Sequence, residues 1–358
     1  MTLTSYRALG RSGLIVSPLA LGAMTFGTNI WGVDEAGSRA IFDHYRDVGG
    51  NVIDTADIYS DGESERLVGK FIADSGSRDE IVLSTKFAFN ASANPASGTH
   101  VPGGNPNAGG VGAKNIHRAL EASLRRLGTD YIDLYWMHVW DQVTPIAEIV
   151  QTLGDLVRAG KIRYYGLSDV PAWVAMKAAT IAAERRVPGP IAIQLEYSLV
   201  ARDVESEHFS VAREAGMGVM PWSPLAGGLL SGKYRREDHA GKGRLSTTNP
   251  RGDTKFTERN WAILETLEQV AAELERPMAQ VALAWTLANE RVGSTLVGVS
   301  KVSQLESNIV ATELRLDSEH LRRLNDVSAP MPGFTSGLGS PEMRRMIFGG
   351  QNVAGWGE

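Results

Sequence analysis

The run Asn51-Val52-Ile53-Asp54-Thr55-Ala56-Asp57-Ile58-Tyr59 reads as a short apolar strand that delivers a carboxylate at its end and a tyrosine just beyond it. Two later segments repeat the arrangement: Asp79–Lys86 closes on Lys86, and Tyr131–His138 closes on His138. When parallel strands close into a barrel, their C-terminal ends open onto one face, where such residues converge. The residue types suit one another. A tyrosine ionises near pH ~10 and becomes a usable acid at neutral pH when a lysine sits against it. The lysine needs a carboxylate to stay charged, and a histidine can polarise the group that accepts the proton. Taken singly, each has a plainer explanation: Asp54 as a helix cap, Tyr59 as a loop aromatic, Lys86 as a solvated strand end, His138 as a satisfied core histidine. Asp57 competes with Asp54 as counter-ion. Asp54 is preferred because it ends the apolar pair Val52-Ile53.

Outward from this run, β-rich segments alternate with amphipathic ones. The strand candidates are Leu19–Gly22, Asn51–Asp54, Ile81–Lys86, Ile132–His138, Ile162–Ser168, Ile191–Leu195, Gly218–Pro221 and Thr295–Gly298. Helical patterns fill the gaps, including one long region over Thr257–Asn289, and Val302–Thr312 follows the last strand. This rhythm predicts a (β/α)8 TIM barrel, with a doubly wound sheet as the alternative. Tyr6–Leu9 and Leu14–Ser17, joined by Gly10-Arg11-Ser12-Gly13, predict an N-terminal β-hairpin. Two long connections, Phe87–Ala113 and Ser223–Phe256, follow strands and are expected over the catalytic face. One domain is expected over 1–328, with 329–358 an irregular tail.

Composition bounds the rest. The chain has 358 residues, 43% hydrophobic and 22% charged, with a formal net charge of -5. That charge provides no basic footprint for nucleic acid. No stretch is long and apolar enough to span a bilayer, and the N-terminus lacks a secretion signal. With no cysteine there is no disulfide framework or thiolate metal site, and a cytoplasmic location is expected. No metal site is expected. Gly227–Lys233 matches the first positions of a GxxxxGK phosphate loop but continues in Tyr234, where a magnesium ligand would be needed. A nucleotide triphosphatase is therefore rejected, although glycine-freed amides and a lysine can still cradle a pyrophosphate.

Several motifs together resemble the aldo-keto reductase superfamily over residues 5–325. They are Leu21-Gly22-Ala23-Met24-Thr25-Phe26-Gly27, Asp54-Thr55-Ala56 with Tyr59, Ser84-Thr85-Lys86, Leu120–His138 and Gly160–Ser168. Gly103–Asn115, His138-Val139-Trp140-Asp141 and Tyr197–Glu205 look like the aryl-alcohol dehydrogenase-like branch, and a more distant similarity is to potassium-channel β subunits.

The resemblance implies NADPH-dependent reduction of aldehydes or ketones, reversible as alcohol oxidation. Tyr59 would be the general acid, Lys86 paired with Asp54 would lower its pKa, and His138 would orient the carbonyl. Gly22, Met24 and Asp54 would flank the nicotinamide ribose, and Ser168, Asp169 and Gln194 would reach the carboxamide. The family often has Ser-Asn where this chain has Ser168-Asp169, so an amide is replaced by an acceptor-only carboxylate. Trp222 would stack on the nicotinamide. Ser223, Pro224, Leu225 and Gly227 onward would wrap the dinucleotide, with Lys233 and Arg244 as positive groups. Gly298, Ser300, Lys301, Gln304 and Asn308 would hold the adenosine end. No acid occupies that turn, so NADP(H) is favoured over NAD(H). Many relatives carry a glutamate where Ser307 stands here.

Met24, Trp31, Phe87, Phe89, Trp140 and Trp222 are the expected pocket walls, which suits a bulky or aromatic carbonyl substrate. The partner is thus a small molecule, with neither nucleic acid nor membrane, and a homo-oligomer is compatible with the chain. The competing function is an NADPH-binding, redox-sensing regulatory subunit with slow turnover.

Overall fold

Strand alternation is what positions the site. The computed structural model describes residues 2–27, 32–90, 104–238, 245, 253–331, 333, 338 and 340–354. The hairpin forms as expected, with β1 (Arg7–Ala8) antiparallel to β2 (Ile15–Val16). The barrel strands are β3 (Leu19–Gly22), β4 (Val52–Asp54), β5 (Val82–Phe87), β6 (Ile132–Met137), β7 (Ile162–Ser168), β8 (Ala192–Glu196), β9 (Gly218–Trp222) and β10 (Thr295–Val297). Each pairs in parallel with the next, and β10 returns to β3. Arg291–Gly293, just before β10, complete the circle by bonding Val219 of β9 at 3.2 and 2.8 Å. A (β/α)8 TIM barrel is the result.

Helices separate the strands: α1 (Glu35–Asp47), α2 (Glu63–Ser75), α3 (Ala113–Leu127), α4 (Ile146–Arg158), α5 (Ala172–Arg185), α6 (His208–Ala215), α7 (Glu258–Glu273), α8 (Met278–Leu287) and α9 (Val302–Val310). Their apolar stripes pack on the outward residues of the strands, such as Ile53, Leu83, Tyr135, Leu167 and Ile193. The long helical region expected over Thr257–Asn289 is two helices. Glu275 turns left-handed (φ 52°), and Pro277 cannot continue a helix because it lacks the amide hydrogen. A further helix, α10 (Ser318–Ser328), is capped by Asp317. The tail expected to be irregular contains α11 (Pro341–Ile347), started by Ser340, which accepts from the Met343 amide at 3.2 Å with proline at the first turn.

Inside the barrel lies a separate apolar plug: Ala20, Val52, Val82, Leu134, Trp136, Ala192, Met220 and Leu296, closed from below by Leu9, Leu14 and Val16 of the hairpin. Trp136 fits only because Gly166 faces it from β7. A Cβ there would lie 2.2 Å from the indole ring. Above the plug the inward side chains turn polar, and they form the candidate site. Among the described residues, no helix is long and apolar enough to cross a membrane and no cluster of metal-binding side chains occurs.

Candidate active site

On β5 the residues Val82, Ser84 and Lys86 face inward while Leu83, Thr85 and Phe87 face the helices, as the period of two dictates. Lys86 is therefore a buried cation rather than a solvated strand end, 1% exposed. Its ammonium donates to the Asp54 carboxylate from β4, to the Thr55 carbonyl at 2.9 Å and to the Tyr59 hydroxyl at 3.2 Å. Asp54, equally buried, also accepts from Ser84 at 2.7 Å and from Gln194 of β8 at 3.3 Å. The lysine's partner is thus Asp54. Asp57 points elsewhere, and its backbone amide donates to the Lys86 carbonyl at 3.1 Å.

Tyr59 sits on a one-turn 3-10 segment after β4. Burial pushes its pKa up and the Asp54 carboxylate adds to this, while Lys86 pulls it down; the net shift is upward. Lys86 thus acts in the expected downward direction, but desolvation of the phenolate outweighs it. Burial likewise opposes the charge on Lys86, but Asp54 and Tyr59 overcome it and raise its pKa. His138 is half-buried, and desolvation of its ring, reinforced by Lys86, drives its pKa well below 6.5. Its ring meets Tyr59 edge-on at 5.8 Å between centroids and Phe89 at 5.0 Å. Nδ1 of His138 is buried with no hydrogen-bond partner among the described residues. A neutral tyrosine, a charged lysine and a neutral imidazole thus converge on the barrel mouth.

Other expected residues surround them. Gly22 pairs with Asp54 across β3 and β4, and Met24 follows on a 3-10 turn. Ser168 ends β7 facing inward beside Gln194. Gln194 spends its amide on Asp54, a bond that the sequence does not announce. Asp169 follows in a left-handed conformation (φ 46°) and accepts from the Trp222 indole at 3.0 Å. Trp222 packs its ring on the barrel plug. Ser223 (φ 56°) then turns the chain into a glycine-bearing loop, where Gly227, Gly228 and Gly232 all have positive φ. The Lys233 ammonium occupies the space a Gly228 side chain would need. Ser60, Ala88 and Ala226 also adopt positive φ near strand exits, so backbone strain gathers on this face.

At the far end, Gly298 leads to Ser300, whose amide and hydroxyl both donate to Oε1 of the Gln304 side chain at 2.8 and 3.2 Å. Asn308 is buried on α9, and Ser307 accepts from Gln280 at 3.2 Å. The glycine-bearing turn at Gly227–Gly232, the Lys233 ammonium beside Gly228 and the unpartnered His138 Nδ1 at the tetrad suit a dinucleotide with its reactive ring there, so the residues present fit one.

Phe87 is a correction. It is fully buried and stacked on Tyr135 at 4.7 Å, on the helix side of the sheet, so it cannot line a pocket. Its neighbour Lys86 takes the inward position. Trp140 is on the rim, edge-on to Trp173 at 5.3 Å, with its indole bonded to the Thr144 carbonyl at 3.2 Å. Trp31 and Arg244 lie outside the described residues. A shallow groove of about 540 Å³ along α5, lined by Trp173, Met176 and Ile181, has nothing resembling the tetrad.

Sequence reasoning gave no role to Ser84, although its spacing from Lys86 puts both on one face. It also missed the support behind the sheet. Buried Glu65 of α2 accepts from Thr85 at 2.6 Å and from Arg126 of α3 at 2.5 Å. It missed Asp141 as well, which accepts from the amides of Val111, Val143 and Thr144 and from the Thr144 hydroxyl, at 2.7–2.9 Å.

A parallel barrel with a buried Asp–Lys–Tyr chain and a histidine at its mouth defines a class of proton-transfer site, and comparison with known proteins gives the class its name. The model of the Aldo/keto reductase family matches residues 18–329, and the chain belongs to that family. It is 40% identical to the uncharacterized oxidoreductase YrpG of Bacillus subtilis, over 92% of this chain and 97% of that protein. It is 35% identical to norsolorinic acid reductase B of Aspergillus parasiticus, over 93% and 86%. It is 32% identical to aryl-alcohol dehydrogenase [NADP(+)] of Phanerodontia chrysosporium, over 90% and 85%. The protein is an oxidoreductase acting on carbonyl and alcohol groups, with a small-molecule substrate and a nicotinamide cofactor as the family implies.

Proposed function

We propose that this protein reduces bulky or aromatic aldehydes and ketones with NADPH, and oxidises the corresponding alcohols in reverse. The observation that carries the reading is the bridge from Asp54 through Lys86 to the Tyr59 hydroxyl at a barrel mouth. When bound, the cofactor supplies the hydride. Tyr59, half-buried and kept neutral by desolvation, gives its proton to the carbonyl oxygen. Lys86 stabilises the phenolate as it forms, and Asp54, held by Ser84 and Gln194, keeps the lysine in place. His138 stays uncharged and directs a ring nitrogen at the carbonyl oxygen. A proton donor positioned in this way is worth about 10²–10⁴-fold in rate.

For the cofactor, the residues proposed are Gly22, Met24, Asp54, Ser168, Asp169, Gln194 and Trp222 at the nicotinamide end. Ser223–Leu225, Gly227, Lys233 and Arg244 would follow along the pyrophosphate, and Gly298, Ser300, Gln304 and Asn308 would hold the adenosine. A 2′-phosphate suits Ser300 and Lys301, where no acid stands, and one relative's name includes NADP(+). Trp31, Phe89 and Trp140 are the proposed substrate walls. A cytoplasmic site of action fits the cysteine-free chain.

The test is a panel of aliphatic, aromatic and polycyclic aldehydes and ketones, run with NADPH and NADH in parallel. Oxidation of NADPH by aromatic members, faster than of NADH, is expected. Tight NADPH binding with no turnover across the panel would replace this reading with that of a redox-sensing subunit.

A further inference from the structure

Asp169 and Trp222 are joined in a way that the tetrad does not require. Asp169 is the first residue past β7, and its left-handed backbone (φ 46°) is a conformation that asparagine and aspartate tolerate better than most residues. Its amide donates to the Gln194 carbonyl of β8 at 3.2 Å. Its carboxylate reaches further, to the indole N–H of Trp222 at the end of β9, at 3.0 Å. Trp222 is half-buried, with its ring laid on the barrel plug at the C-terminal end of β9. A ring there can swing about its side-chain torsions unless its one polar atom is held.

We propose that Asp169 is a positioning residue that locks the plane of the Trp222 ring and places a negative charge beside the reacting ring of the cofactor, favouring its oxidised, cationic form over the reduced, neutral one. The inference rests on the function proposed above. Two observations carry it. The hydrogen bond fixes where the carboxylate sits, on the face of the mouth where Trp222 presents its ring. The same carboxylate is close enough to act electrostatically on Tyr59, raising its pKa, so its field reaches the tetrad. An asparagine would also accept from the indole but would carry no charge. The choice of aspartate thus adds a charge to a bond that an amide could have made. A carboxylate near a pyridinium favours it by Coulomb attraction, and because Asp169 is exposed, solvent limits the effect.

Three full-length variants separate the two roles: Asp169→Asn, Asp169→Ala and Trp222→Phe. The near-ultraviolet circular dichroism of the ligand-free protein, with Trp222→Phe subtracted to isolate that one of the eight tryptophans, reports ring order. Asp169→Ala is expected to lose most of this difference band, and Asp169→Asn to keep it. Titrations with NADP+ and NADPH then give the ratio of the two dissociation constants. Both Asp169 variants are expected to weaken NADP+ relative to NADPH by about threefold or more. A band unchanged in Asp169→Ala overturns the positioning role, and a ratio unchanged in Asp169→Asn overturns the charge role. If the wild-type protein binds neither dinucleotide, the function proposed above and the charge role fall together, while the ligand-free spectra still decide whether Asp169 holds the ring.

Discussion

Lys86 stands 3.2 Å from the Tyr59 hydroxyl and donates to it, with its remaining hydrogens committed to Asp54 and the Thr55 carbonyl. The ammonium has no spare donor and no water-facing side, so its position is over-determined. Replacing it should therefore affect stability as well as rate. Lys86→Met leaves the buried Asp54 without its charge partner, which costs about 3–5 kcal/mol. Urea unfolding should show that loss, and carbonyl reduction should fall at least as far as in Tyr59→Phe, by about 10²–10⁴-fold. Tyr59→Phe should retain NADPH affinity by fluorescence titration. Near-wild-type turnover in the phenylalanine variant would remove Tyr59 from the role of acid.

The desolvated ring of the half-buried His138 gives stability a slope on the acid side. The unfolded chain binds a proton at this histidine near pH 6.5, whereas the folded protein resists until well below that value. The unfolded state therefore holds more protons in this window, and stability falls as pH drops below about 6.5. His138→Asn should flatten the fall in melting temperature between pH 6.5 and 5 relative to wild type. Parallel melting curves for the two proteins across that range would contradict a buried neutral imidazole.

Asp57 produces the opposite slope. Burial, with Glu65 nearby, raises its carboxyl to about 8, against an ordinary 3.8. One of its oxygens is buried without a partner among the described residues. Between these two values the folded state keeps a proton that the unfolded state gives up, so this group removes stability as pH rises through that range. Asp57→Asn, which cannot ionise, should be more stable than wild type at pH 8 by on the order of a few kcal/mol. The gap should shrink as pH falls to 5, and chemical denaturation at the two pH values checks it. A variant less stable than wild type at pH 8 would count against a carboxyl kept neutral by burial.

Asp141 ties the connection after β6 to Val111, just before α3, through one of four accepted hydrogen bonds, the other three coming from Val143 and Thr144, and these bonds hold its pKa below the usual carboxylate value against the effect of burial. Asp141→Ala should loosen the rim beside Trp140. The expected signature is a raised KM for bulky carbonyls, by about tenfold, with NADPH affinity within twofold of wild type. An unchanged KM across large and small substrates would show that this rim does not contact them.

The barrel was legible because eight β/α units repeat the same apolar pattern, and Asp54, Lys86 and His138 were legible because each lies at or next to the C-terminal end of a strand. Phe87 shows where that reasoning stops. The sequence marks it as an aromatic beside the lysine, but adjacent strand residues point to opposite faces, so the two cannot share a pocket. Gln194 and Ser84 were harder still, since their bonds to Asp54 depend on register between strands far apart in sequence. The Glu65–Arg126 and Asp141 networks join elements through single side-chain contacts that leave no periodic trace. α10 and α11 have short apolar stripes, but their caps, Asp317 and Ser340 followed by proline, were there to be read.

The plug built on Trp136 and sealed by the hairpin makes the barrel a cup rather than a tube. Whatever settles against Asp54 and Tyr59 has entered through the same doorway by which it must leave. Two molecules that share one doorway queue: the one seated deeper arrives first and departs last. The floor that gives this fold its rigidity therefore also imposes an order of traffic on any two-component reaction carried out above it.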